Sequence, residues 1–416
     1  MQADEEGVVR PIPSVDRAPE AEGVAQVIAA PQLAECEEQV RAAALDLARK
    51  ERIALDVEAS GMHAYRAQAC TIALASDDGR RTFVVDAIAA PLAPLAFVLG
   101  ASGPTKIVHD VAFDARLLAD RGLTIGRVHD TAIAAQMLGR AATGLASLLE
   151  SELGLRIEKA MQHHDWRIRP IDAPMLAYIA QDVAHLESLE RALWTELEER
   201  GIVDAVVEET KYRIDCATAV AAAPLHKAEV AYLRVKGSDR LSEREASALR
   251  AVAQVRERTA EARDVPPHKV VRAESLVAIA RARPSNPADI RRIAGFAASS
   301  PEASALVDEL ARALATAGET LPEDERAIWL KPPVATAVFK ARRARESRLL
   351  AWRRAEAKAR GVDEQVVLPG HCLKRAAEAD AHSVDALALV PGIGAFRVER
   401  DGLAIVRALR GDENES

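Results

Sequence analysis

The sequence predicts an α/β domain built on one mixed sheet, followed by an all-α second half. Three observations predict it: short apolar runs bounded by turn residues crowd the first 110 positions, helical periodicity takes over after them, and the second half holds no convincing strand but repeats itself. ERIALDVE (51–58) is a short apolar run ending in acids. ACTIALAS (69–76) and RTFVVDAI (81–88) follow, separated by the turn signal DDGR. Helix-like PLAPLAFVLG precedes a further strand, KIVHD (106–110). FDARLLADRG, DTAIAAQMLG, GLASLLESELG and a stretch from about 172 to 200 then read as helices.

The repeat runs at a constant offset of 97 residues. Val252, Val255, Arg256, Val265, Val270, Leu276, Ile290, Ile293 and Gly295 recur as Leu349, Trp352, Arg353, Val362, Val367, Leu373, Leu387, Val390 and Gly392. Each copy reads as a helix ending in a turn, an amphipathic helix, and a short helix closed by Gly. They are two copies of one small helical domain, joined through PEDE (322–325) and KPPVA (331–335). The expected division is a disordered tail over 1–22, the α/β domain over 23–208, the first helical domain over 209–312, and a linker with the second over 313–416.

A chain of 416 residues is too long for one ordinary core, and 49% hydrophobic with 28% charged residues fits a soluble protein. The four cysteines (Cys36, Cys70, Cys216, Cys372) lack CxxC spacing, which argues against a zinc site or disulfide framework and predicts a cytoplasmic protein. The acidic, Pro-bearing N-terminus has no apolar stretch, so neither a signal peptide nor a membrane span is expected there. The net charge of −8 is concentrated in the first half, whereas the second is mildly basic, with runs such as KARRARESR (340–348). That run is either a phosphate-attracting patch or a solvated helix face.

Asp56 and Glu58 sit two apart at the end of a predicted strand, so both side chains leave one face. Asp114 follows the strand KIVHD and opens a helix, and Tyr178 and Asp182 in YIAQD stack on one helical face. Each piece alone has a plain reading: a surface pair, an N-cap, a core tyrosine beside a solvated acid. Brought together, the four acids would repel strongly, since two carboxylates about 4 Å apart cost roughly 4 kcal/mol at an effective dielectric near 20. Hard divalent cations remove that penalty, and a pair of them is a known arrangement for attack on a phosphodiester.

In these residues the chain resembles the DEDD exonuclease superfamily, in its tyrosine-bearing branch, and within it the ribonuclease D family. The motifs are LDVEASG, with Val57 where Thr is usual, KIVHDVAFDARLL and LAYIAQDVAHL; the connecting HDTAIAAQMLG, GLASLLESELG and KAMQHHDWRIRPI match too. The resemblance covers roughly residues 25–205 and implies a ribonuclease H-like mixed sheet with flanking helices. It implies that Asp56, Glu58 and Asp182 bind one divalent ion, Mg²⁺ or Mn²⁺, and that Asp56 bridges to a second held by Asp114. Tyr178 marks the branch and would orient the attacking water; the histidine branch places a His where this chain has Ala177. Met62 and His63 would touch the terminal nucleotide, His109 would orient RNA or Asp114, and Lys159 and Gln162 would lie near the RNA strand. Before Trp166, where Arg-Ser is usual, this chain has His163 and His164.

The two repeats resemble HRDC domains in DVPPHKVVRAESLVAIA (264–280) and GVDEQVVLPGHCLKRAA (361–377), which implies auxiliary nucleic-acid binding. Plain readings remain beside the functional ones. Trp166 either stacks on a base or packs under the last catalytic helix, Asp130 caps a helix or binds metal, and PGIG (391–394) holds a phosphate or turns the chain. The expected activity is 3′-5′ exoribonucleolytic, releasing 5′-monophosphates from tRNA or other small stable RNA precursors. A monomer is expected, with no membrane or protein partner implied. The rivals are a DNA 3′-5′ exonuclease and a non-catalytic RNA-binding scaffold.

Overall fold

Alternation along one strand, β2 (Arg52–Ala59), sets the layers of the N-terminal half. Ile53, Leu55 and Val57 enter a core with α1 (Glu37–Leu47), α2 (Ala96–Leu99) and α3 (Val111–Asp120). Ala54 faces the other way, toward Met175, Ile179 and Val183 of α6 (Ala173–Ala184). Asp56 and Glu58 share the Ala54 side by the same period of two. The computed structural model describes residues 30–157, 161, 163–222, 228–296, 300–330 and 335–411; the expected tail lies outside them.

The sheet has six strands in the order β1-β4-β3-β2-β5-β6. β3 (Ala69–Ser76) runs antiparallel to both β2 and β4 (Arg81–Asp86), whereas β5 (Thr105–Val108) is parallel to β2. The strands expected from sequence are all present. Two more, β1 (Gln32–Ala34) and β6 (Val128–Asp130), close the edges in parallel with β4 and β5, and three residues are too few to show alternation. α4 (Thr131–Met137), α5 (Leu145–Leu153), α7 (Leu186–Glu199) and the first turns of α8 (Val203–Ala222) form a second core beside the sheet. α8 runs unbroken through the expected boundary at 208/209, with Ala205 and Val206 in that core and Ile214 and Ala217 against the sheet's own core.

Among the described residues every regular element after β6 is a helix. The first module comprises α9 (Glu243–Ala262), α10 (Pro267–Val270), α11 (Ala273–Ala282), α12 (Pro287–Ala294) and α13 (Pro301–Ala315). Its core takes in Leu321 and, from α14 (Glu323–Trp329), Trp329, so it reaches past residue 312. The second module comprises α15 (Thr336–Arg360), α16 (Glu364–Val367), α17 (Gly370–Ala379), α18 (Val384–Ala388) and α19 (Ala395–Arg410). The repeat holds element by element: α10, α11 and the start of α12 recur as α16, α17 and the start of α18 at the offset of 97. Even the left-handed residues correspond, Asp264 with Gly361, Arg283 with Asp380, and Gly295 with Gly392.

The second module docks on the nuclease half through α8. The Phe396 N–H donates to Glu208 Oε1 at 2.8 Å, His371 stacks on Tyr212 at 4.2 Å, and Val366 inserts into the second core. Full burial of such a valine is worth roughly 1.5–3 kcal/mol. The basic run on α15 is largely engaged inside this module: Arg342 pairs with Glu346 and Glu378, Arg345 with Asp380, and Arg348 donates to the Ala408 carbonyl. No helix among the described residues is long and apolar enough to cross a membrane.

Candidate active site

β2 and β5 run parallel with Ala54 opposite Ile107, so Asp56 lies level with His109, just beyond the end of β5. There Asp110 adopts φ +66 and turns the chain into α3, whose first turn carries Asp114, only 6% exposed. Asp130 braces this junction. Its carboxylate accepts from the N–H groups of Asp110 (3.2 Å) and Val111 (2.8 Å) while capping α4 through Ala132 and Ile133. The capping reading of Asp130 holds, and the brace on α3 is a further duty that spacing did not reveal.

α6 starts with Asp172 accepting from the Met175 N–H at 2.9 Å, with Pro174 in its first turn, a favourable N-terminus. Met175, Ile179 and Val183 bury one stripe of the helix against the sheet. Tyr178 and Asp182 flank that stripe and approach β2. Asp56, Glu58 and Asp182 each offer an oxygen, and the three atoms lie within 4.8 Å of one another. Asp114 stands outside this trio but close enough to feel Asp56 and Glu58 electrostatically.

The charges are unfavourable by construction. Burial pushes the Asp56 carboxyl up to about 6. Glu58 rises to about 9 through burial and then the Asp56 and Asp182 charges, and Asp182 rises to about 7 through burial and Asp56. Asp114 is raised well above the usual range by burial, with Asp56, Asp130, Glu58 and Asp110 adding. Among the described residues none of the four acids has an ion pair to Arg or Lys. A set of hard oxygen donors, partly buried and lacking a protein cation, fits Mg²⁺ or Mn²⁺. Burial, then Asp182, Glu58 and Asp56, also raise the Tyr178 phenol, which therefore stays protonated.

Trp166 is 3% exposed and packs under Tyr178 with ring centroids 5.7 Å apart, so it supports α6. The exposed Met62 and the half-buried His63 lie on the turn after β2 and meet the facing loop: His63 Nε2 is 3.1 Å from the His163 carbonyl, and His163 Nδ1 is 3.5 Å from Met62 Sδ. His109 is half-buried, its Nδ1 2.9 Å from Thr131 Oγ1, and burial lowers its pKa so that it stays neutral. Lys159 and Gln162 lie outside the described residues.

Sequence reasoning missed the pair that anchors this loop. Arg169 forks onto Asp86 (2.5 and 2.8 Å) and also donates to the carbonyls of Trp166, Ile168 and Cys70. Asp86 ends β4, 83 residues away, and no local pattern links the two.

Residues 31–198 match the family model of the 3′-5′ exonuclease domain, and residues 245–304 and 342–409 match that of the HRDC domain. Fold and site thus define a 3′-5′ exonuclease carrying HRDC domains. Ribonuclease D of Acidiphilium cryptum is 29% identical over 304 residues, 71% of this chain and 76% of the relative. Ribonuclease D of Gluconacetobacter diazotrophicus is 29% identical over 287 residues, 67% of this chain and 71% of the relative. Its exonuclease domain, its HRDC domains and its similarity to these relatives over most of the chain support an exoribonuclease of the ribonuclease D type. The fold agrees: the crystal structure of Escherichia coli RNase D, an exoribonuclease involved in structured RNA processing, matches with a TM-score of 0.66 at 22% identity over 92% of this chain and 100% of that one. The catalytic core of RRP6 from Trypanosoma brucei matches with a TM-score of 0.54 at 22% identity, over 70% of this chain and 80% of that one.

Proposed function

We propose that this chain trims single-stranded RNA from its 3′ end by hydrolysis with two divalent ions, releasing 5′-monophosphates one at a time. The observation that carries the reading is the trio Asp56, Glu58 and Asp182, with oxygens within 4.8 Å and no Arg or Lys to balance them among the described residues. These three would hold one ion, and Asp56 with Asp114 the other. Bound ions would lower the pKa of a water and offset charge developing at the phosphodiester. Tyr178 keeps its proton and so can donate to that water's oxygen while the lone pair faces phosphorus. Met62 and His63, on the turn directly after Glu58, receive the terminal nucleotide.

Recognition of a single strand by backbone contacts and stacking is base-independent, which suits removal of any nucleotide in turn. The natural substrate in this reading is a precursor of tRNA or another small stable RNA, processed in the cytoplasm by a monomer. The family's RNA-directed names support this over a DNA substrate. A time course on 5′-labelled RNA beside a matched DNA strand, with Mg²⁺, Mn²⁺ or EDTA, tests it. The expected result is a ladder of shortening RNA only with metal. Undiminished cutting in EDTA, or a preference for DNA, overturns it.

A further inference from the structure

The first HRDC module reaches the nuclease rim through Glu257, Glu261 and, most directly, Asp264. Asp264, just after α9, accepts from the Tyr65 N–H at 3.1 Å with Oδ1 and from Arg167 Nη1 at 2.7 Å with Oδ2. Tyr65 lies three residues after Met62, and its hydroxyl donates to Glu257 of α9 at 3.1 Å. Arg167 belongs to the facing loop, where it also forks onto Asp165 (2.9 Å for each bond) and donates to the His63 carbonyl at 3.4 Å. His63 in turn contacts the His163 carbonyl. Residues 62–65 and 163–167 are therefore knit together, and Asp264 clips both strands of the knot from another domain.

The internal repeat supplies a control. Asp264 has φ +46, in the left-handed region that costs a non-glycine residue on the order of 1 kcal/mol. The equivalent residue of the second module is Gly361, at φ +62, where a side chain would meet nothing within 4 Å. The backbone at this place thus suits glycine, and only the copy beside the active site carries a carboxylate. Stability does not account for it. The Asp264 side chain is 61% exposed in its ion pair with Arg167, and such pairs contribute about 0–1 kcal/mol, no more than the backbone cost.

We propose that Asp264 is a positioning residue of the nuclease: from the first HRDC domain it holds Tyr65 and Arg167, and through them the Met62–His63 turn that receives the terminal nucleotide. The inference rests on the proposed function for the role of that turn. The first HRDC module is then part of the substrate site by contact rather than by binding RNA itself.

Asp264→Gly, which copies the second module, and Asp264→Asn test this in the full-length chain. With single-stranded RNA, the glycine variant should raise KM roughly three- to tenfold, the net size of one ordinary hydrogen bond, while kcat, Mn²⁺ affinity by calorimetry and Tm stay near wild type. The asparagine variant should fall between, because its Oδ1 still accepts from Tyr65 while its Nδ2 repels Arg167. A wild-type KM in the glycine variant overturns the proposal. So does a joint fall of kcat, metal affinity and Tm, which marks a merely structural residue. Failure of the wild-type chain to trim RNA at all would instead strike the functional reading beneath it.

Discussion

Buried acids at the ends of two strands of the same sheet are treated in opposite ways. At the end of β4, Asp86 is 1% exposed; burial pushes its carboxyl up, but Arg169 and the N–H groups of Ala89 and Ile88 outweigh that and hold it below the usual range. At the end of β2, Asp56 and Glu58 meet Asp182 with no protein cation among the described residues, and every shift is upward. Asp86 is thus given a counter-charge, whereas the acids at the end of β2 have none among the described residues. Glu190, fully buried between Arg52 and His129, and Asp401, held by Arg360 and Arg400, belong with Asp86.

The comparison can be broken most forcefully at the site. Asp182→Asn or Glu58→Gln should lower single-turnover trimming on the order of a thousandfold or more, the loss of about 4 kcal/mol of transition-state stabilisation. The same variants, melted in EDTA near neutral pH, should be more stable than the wild type by a few degrees, since folding no longer forces that acid to take up a proton or to stand charged beside the others. Full activity in either variant would remove that acid from the metal set. Arg169→Met tests the other region. It strands Asp86 without its cation and should cost about 3–5 kcal/mol in urea denaturation; an unchanged midpoint would show that Asp86 is balanced elsewhere.

Smaller effects sharpen the contrast. Tyr178→Phe should lower kcat roughly ten- to a hundredfold with metal affinity intact in calorimetry, because the phenol serves the water and not the ions. The pH dependence of stability should have opposite signs in the two regions. In the metal-free protein Asp56, Asp182 and Glu58 have raised pKa values, so their contribution is present at low pH and lost as pH climbs from about 4, the unfolded value, through about 6, 7 and 9. Asp86 is depressed, so its contribution is present above about 4 and lost on acidification below that. Thermal melts in EDTA across this range should show the alkaline loss shrink in Glu58→Gln and the acid loss shrink in Arg169→Met. Identical profiles for wild type and both variants would contradict the assignment.

Much of this was legible before any coordinates. The D-x-E spacing in β2 and the Y-x-x-x-D spacing in α6 encode which side chains share a face, and the 97-residue repeat carries through to matching helices and matching left-handed turns. The two three-residue edge strands, the Asp86–Arg169 anchor and the second duty of Asp130 were not legible, because each depends on a partner far along the chain. The reading of Trp166 as support under Tyr178 was open in the sequence and closed by its burial.

By itself the sequence determined the kinds of ligand atom, the face each acid leaves from, and the duplication of the helical module, because periodicity and motif spacing are local properties of the chain. Tertiary structure alone decided that residues 56, 58 and 182 converge, with no Arg or Lys paired to them among the described residues. It also decided that Asp264 reaches Tyr65 and Arg167 while Gly361, its counterpart in the repeat, faces open space. Pairings across a hundred residues are set by which faces pack on which, and packing is a property of the whole fold.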